Sequence, residues 1–245
     1  MPDIVLIAAL TCLVAFIYSS VGHGGASGYL AVLSFFAVPH EQMATSALCL
    51  NLFVAGASFY SFYKARYFSW KLTWPFVLGS IPAAFLGGFI KVPPASYDRL
   101  LAGALVFAGL RLILDIEKKA GPAHDFPPLG VSLPAGGVIG FLSGIVGVGG
   151  GIFLSPLLIL LRWADPKKVA ATSAFFILVN SASGLWGRCM RGAFQMPPYL
   201  MLLLLIALFG GIAGSRIGAR RFSGLWLKRV LAFVLWMAVV KLIRH

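Results

Sequence analysis

Apolar runs of helical length recur along the chain, separated by short polar joints. They place helices at residues 4–20, 26–37, 43–63, 71–91 and 97–116, then at 129–146, 152–162, 169–189, 197–219 and 225–243. A bilayer-spanning helix takes about 20 residues. Two segments, 26–37 and 152–162, are too short for this, and each follows a glycine cluster. Such a helix either starts within the membrane or forms half of a re-entrant hairpin. In both cases its N-terminus lies inside the protein. The stretch Lys118-Lys119-Ala120-Gly121-Pro122, running on to Phe126-Pro127-Pro128, is polar and rich in proline, as a linker is. The pattern therefore predicts an all-α integral membrane protein of five helical segments and five more: a first repeat at 1–118, a linker at 119–128 and a second repeat at 129–245.

The two sets of five resemble each other residue by residue. Ser20-Val21-Gly22-His23-Gly24-Gly25 matches Ile145-Val146-Gly147-Val148-Gly149-Gly150. The run from Pro39 to Ala47, which contains Ala44-Thr45-Ser46-Ala47, pairs without a gap with the run from Pro166 to Ala174, which contains Ala171-Thr172-Ser173-Ala174. Gly79 and Gly87 line up with Gly210 and Gly218, and the segment from Arg99 to Arg111 with that from Arg229 to Lys241.

Composition agrees with a membrane protein. Of 245 residues, 60% are hydrophobic and only 11% charged, whereas soluble domains carry about 25% charged residues. The net charge of +13 would suggest nucleic acid in a soluble protein. Here the basic residues sit in joints between apolar runs, where they act as topology signals, so no nucleic-acid partner is expected. With the N-terminus outside, the inner joints hold Lys64, Arg66, Lys71, Arg111, Lys118, Lys119, Arg162, Lys167, Lys168, Arg216, Arg220, Arg221, Lys228 and Arg229. The outside receives only Lys91, Arg99, Arg188, Arg191, Lys241 and Arg244. An odd number of segments per half makes the second repeat inverted, the arrangement many secondary transporters use to expose one site alternately to either side. The start, Met1-Pro2-Asp3 followed at once by an apolar run, lacks the basic region of a cleavable signal peptide, so the first run is expected to be retained.

An interior helix N-terminus presents unpaired N–H groups and the positive end of the helix dipole, which suits an anion. Gly22, Gly24 and Gly25 in one half, with Gly147, Gly149 and Gly150 in the other, would bring two such ends together and let a ligand approach the backbone. Alternatively, glycines permit close helix packing, the role expected of Gly136, Gly140 and Gly144 and of Gly210, Gly214 and Gly218. Thr45, Ser46, Thr172 and Ser173 could donate hydroxyls to the same ligand or bond between helices. Asn51 and Asn180 lie deeper, where an unpaired amide costs several kcal/mol, so each must face protein, water or ligand. They are not equivalent in the ungapped alignment. His23 has Val148 as its counterpart, which excludes a symmetric two-histidine site; it could bind the anion, carry a proton, or serve only as a hydrogen-bonded structural residue.

The seven acidic residues, Asp3, Glu41, Asp98, Asp115, Glu117, Asp125 and Asp165, fall in loops or near helix ends. That leaves no mid-membrane carboxylate for a cation substrate. Arg188 and Arg216 lie near helix ends, where such side chains snorkel to the interface or help draw in an anion. Tyr60, Tyr63, Tyr67, Trp70 and Trp74 flank a basic joint as an interfacial aromatic belt. Cys12, Cys49 and Cys189 occur singly in apolar runs, without metal spacing. There is no GxxxxGK[ST], no H-E-x-x-H, no G-x-S-x-G and no paired carboxylate, and the glycine clusters follow helices rather than strands. No metal, cofactor or enzymatic activity is expected.

The doubled Val-Gly-x-Gly-Gly cluster, each copy followed by Pro-x-x-x-x-Ala-Thr-Ser-Ala, resembles the TauE/SafE family of sulfite and organosulfonate exporters over nearly the whole chain. The resemblance implies a bacterial inner-membrane permease for small sulfur-containing anions such as sulfite or sulfoacetate. His23 departs from the small or apolar residue more usual at its place. The expected partners are then a small anion, a coupling proton or ion, and the bilayer, with a homodimer among the assemblies it allows. A passive anion channel built on the same helix ends is the chief alternative, and a membrane assembly factor a third.

Overall fold

A computed structural model describes residues 2–36, 38–114 and 127–220. The tenth predicted segment and nearly all of the linker lie outside them. Among the described residues the chain forms nine helices: α1 (Pro2–Ser20), α2 (Ala26–Phe35), α3 (His40–Lys64), α4 (Trp70–Phe89), α5 (Pro94–Leu114), α6 (Leu129–Val146), α7 (Gly151–Leu160), α8 (Pro166–Met190) and α9 (Leu200–Arg220). Five of them, α3, α4, α6, α8 and α9, are long and apolar enough to cross a membrane. The helices α3 and α8 start three residues before the expected positions 43 and 169. The cause is local: Pro39 precedes α3, and Pro166 takes the first helical position of α8, where its fixed φ suits the helix and its missing N–H costs nothing. Asp165 then caps α8 by accepting from the Lys168 N–H at 3.0 Å.

The protein is an integral membrane bundle in its distribution of side chains. Val5, Leu78, Leu205 and Phe209 point outward, while Thr45, Asn51, Ser173 and Asn180 are buried. That distribution suits a lipid surround, in which buried polar groups must find one another or a ligand. Tyr60, Tyr63 and Trp70 are exposed at one end, as a belt requires. Tyr67 instead receives the Lys167 ammonium, both on its ring at 4.9 Å and at its hydroxyl.

Packing is reciprocal between the two sets of helices. A methyl added at Gly136, Gly140 or Gly144 of α6 would run into the backbone of Phe76, Ser80 or Ala84 of α4. One added at Gly210, Gly214 or Gly218 of α9 would run into Cys12, Phe16 or Ser20 of α1. The first helix of each set thus meets the fourth of the other, backbone to backbone, because only small residues allow that approach. The long helices α3 and α8 cross at the centre and run antiparallel: Leu48 lies by Gly184, Gly56 by Leu178, and Phe62 by Ala170 and Ala171.

Gly144→Ala should lower stability by about 1–3 kcal/mol, the cost of overpacking a tight contact. Gly103→Ala, where nothing lies within 4 Å of the added methyl, should be neutral or gain up to about 1 kcal/mol from helix propensity. Thermal unfolding of both variants in one detergent checks the contrast.

Candidate functional site

The loops joining α1 to α2 and α6 to α7 have the same build. Gly22 and Gly25 in one, and Gly147, Gly149 and Gly150 in the other, hold φ between 77° and 99°. An L-residue adopts that left-handed conformation at a cost of roughly 1–2 kcal/mol, so the sequence places glycine there. Gly25 and Gly150 are the N-caps of α2 and α7, and neither end has a side-chain acceptor for its first N–H groups. Both helices have 10 residues, about 15 Å of rise, and both begin in the buried interior.

The two loops converge on one side chain. A Cβ at Gly24 would strike Asn51 Oδ1, and a Cβ at Gly149 would lie 2.5 Å from Asn51 Nδ2; both would also crowd the Cγ2 methyl of Ile177. Asn51 is the twelfth residue of the 25 in α3, and Ile177 the twelfth of the 25 in α8, so the meeting point lies halfway along the two central helices. Asn51 Nδ2 donates to the Val148 carbonyl at 3.3 Å, which ties α3 to the second loop. Asn51 Oδ1 is fully buried and has no hydrogen-bond partner, as are Thr45 Oγ1, Ser46 Oγ, Asn180 Oδ1 and Ser181 Oγ. Buried polar atoms are normally satisfied, so Asn51 Oδ1 and, beside Gly149, Ser181 Oγ make these two uncapped helix ends the candidate site for a polar ligand.

The remaining candidates divide. Gly22 packs on Ala170 and Gly147 on Ala44, so each loop rests against the opening turns of the other set's long helix. Thr172 faces α4, its hydroxyl 3.2 Å from that of Thr73, an interhelical contact between side chains. Asn180 Nδ2 bonds within its own helix, to the Phe176 carbonyl at 2.8 Å. Ser173 belongs to a buried relay: its Oγ lies 2.8 Å from Ser155 Oγ, which lies 2.8 Å from His23 Nε2. The other ring nitrogen of His23 is 2.9 Å from the Val21 carbonyl and therefore carries a proton. Ser155 also donates to the Gly151 carbonyl at 2.7 Å. Tyr18 stands edge-on to the imidazole at 6.5 Å, its hydroxyl 2.7 Å from Ser27 Oγ.

Sequence reasoning passed over Ser155, Ile177 and Ser181. Aligning the clusters pairs Ser155 with Leu30, but Ser27 with Ile152 and Ser34 with Ile159 are polar differences of the same kind, so Ser155 did not stand out. Ile177 is apolar and leaves no trace in sequence. Arg188 does not snorkel: it is 3% exposed and turned inward. Its guanidinium bonds Glu41 at 2.8 Å and the Ile145 carbonyl at 2.7 Å. Arg216, by contrast, is exposed.

Residues 7–242 match the family model described as Sulfite exporter TauE/SafE. The chain is 34% identical over 233 residues to the "Probable membrane transporter protein y4hK" of Sinorhizobium fredii, covering 94% of each chain. It is 24% identical over 244 residues to the "Probable membrane transporter protein YunE" of Bacillus subtilis, covering 88% of this chain and 89% of that one. No solved structure matches.

Asn51→Leu, which keeps the volume but not the amide, should cut transport at least about tenfold, the worth of one buried polar contact, with membrane insertion kept. Asn180→Leu, whose amide nitrogen serves its own helix, should cost less. Flux into vesicles normalised to inserted protein separates them, and equal losses would deny Asn51 its central place.

Proposed function

The chain belongs to the TauE/SafE sulfite exporter family, and from that premise we propose that it exports small sulfur-containing anions, sulfite or organosulfonates, by alternating access around Asn51. It is a multi-pass membrane transporter. The observation that carries the reading is the convergence of two uncapped helix N-termini, through Gly24 and Gly149, on one buried and half-unsatisfied amide at the midpoint of α3 and α8. Each helix end contributes roughly half a positive charge. Together they favour an anion without any fixed cation at that depth.

The anion would lie among the N–H groups at the two helix starts, with the Ser181 hydroxyl beside Gly149 within reach. Asn51 closes the gap between the loops in this structure, as a carrier requires between its two openings. Reciprocal packing and the antiparallel course of α3 and α8 support two inverted halves related by an axis in the membrane plane, each able to rock against the other. The excess of Lys and Arg on one set of joints supports an N-terminus outside, and the family supports a bacterial inner membrane as its location. His23, with Ser155 and Ser173, would take up the coupling proton beside the anion.

Liposomes holding the purified protein should show saturable flux of sulfite, thiosulfate or sulfoacetate, accelerated by unlabelled anion on the far side. Linear flux without that acceleration would indicate a passive channel, and no flux for any of the three would sink the proposal. His23→Gln should flatten the pH dependence of flux if the imidazole carries the coupling proton. An unchanged profile would remove His23 from the coupling.

A further inference from the structure

A second polar centre lies at the end of the bundle where α3 begins and α8 ends. A cavity of about 240 Å³ opens there, lined by His40, Glu41, Lys91, Tyr97, Arg188 and Arg191 among others. That is roughly eight water volumes at about 30 Å³ each, room for a small oxyanion with part of its hydration. Three of the lining side chains, Lys91, Arg188 and Arg191, are cationic and one, Glu41, is anionic.

Glu41 is held as a ligand would be. Arg191 Nη2 donates to both of its carboxylate oxygens, at 3.0 and 2.9 Å, and Arg188 Nη1 donates to Oε2 at 2.8 Å. The Nε–H of each arginine is buried and has no acceptor, so the pair retains donors beyond those Glu41 uses. Arg188 is 3% exposed, while the Glu41 side chain is 36% exposed at the cavity mouth. The arginines are therefore the fixed part and the carboxylate the movable part.

We propose that Arg188 and Arg191 form an outer binding site for the transported oxyanion, sulfite or a sulfonate, and that Glu41 occupies it as an internal substitute which the anion displaces. Planar guanidinium groups bind carboxylates and sulfonates in the same forked manner, so the exchange replaces one charge-assisted set of bonds by another. The site also touches the central loop. Arg188 Nη2 donates to the Ile145 carbonyl and Tyr97 Oη to the Val146 carbonyl at 3.1 Å, and Gly147 follows directly. An anion held here stands at the entrance to the second glycine loop. This proposal rests on the transport reading for the identity of the anion, but its test does not depend on flux.

Calorimetric titration of the purified full-length protein with sulfite and with methanesulfonate measures the site. Glu41→Gln should bind about tenfold more tightly than the unmodified protein, because a charged competitor has gone. Adding Arg191→Gln to it should abolish that gain. Asn51→Leu should lose transport yet keep the outer binding, so failure at the centre and failure here give different results. In the unmodified protein, saturating methanesulfonate should protect Arg191 from phenylglyoxal, read by mass spectrometry. Equal affinity of Glu41→Gln and the unmodified protein, or no protection of Arg191, would overturn the proposal.

Discussion

Non-helical backbone at membrane depth is tolerated only where protein or a water-filled cavity surrounds it, because lipid cannot satisfy a free N–H or C=O. The two glycine loops break the helical hydrogen-bond ladder near the middle of the bundle, and much of the structure follows from enclosing them. The glycine faces of α6 and α9 bring α4 and α1 into backbone contact, and α3 and α8 close over the loops from the centre. Each loop rests on the long helix of the other set, Gly22 on Ala170 and Gly147 on Ala44. Neither half could bury its own broken backbone alone, so the fold requires both.

The backbone repeats but the chemistry does not. In the alignment Val148 faces His23 and Leu30 faces Ser155, so the relay from His23 through Ser155 to Ser173 has no counterpart, and Ser46 is left unpaired where Ser173 is bonded. Asn51 likewise aligns with Leu178. One half thus supplies the amide and imidazole while the other supplies the apolar wall of Ile177. The loops share left-handed glycines at Gly22 and Gly147 and at Gly25 and Gly150, while the side chains around them differ.

Much of this was legible in the sequence, for identifiable reasons. Hydrophobic run lengths gave the helices, because apolar length is what a membrane dictates; the starts of α3, α5 and α8 moved three residues earlier, each beside a proline, and that of α9 three residues later, after Pro197 and Pro198. The glycine clusters were visible because a left-handed backbone strongly favours glycine. The convergence of Gly24 and Gly149 on Asn51 was not, since it depends on how α3 crosses α8, and no local pattern encodes a crossing point. Ile177 was hidden for the same reason. Glu41, Arg188 and Arg191 lie about 150 residues apart in sequence as an ion-pair network, and each alone looked like an ordinary interfacial charge.

The energetics of that network explain why it is closed by a carboxylate of the chain itself. Breaking a buried ion pair by removing one partner costs about 3–5 kcal/mol, because the remaining charge stays desolvated. An empty arginine pair at the end of a membrane bundle would be unstable and would hold adventitious anions. Glu41, in the first turn of α3 where the helix dipole also favours a negative charge, accepts from both arginines and offsets their charge. On the proposed displacement, an oxyanion would have only to exceed a local competitor, not to justify a vacant charged site. Exchange of like for like keeps the step reversible, and a transporter that must release what it binds needs that reversibility more than it needs affinity.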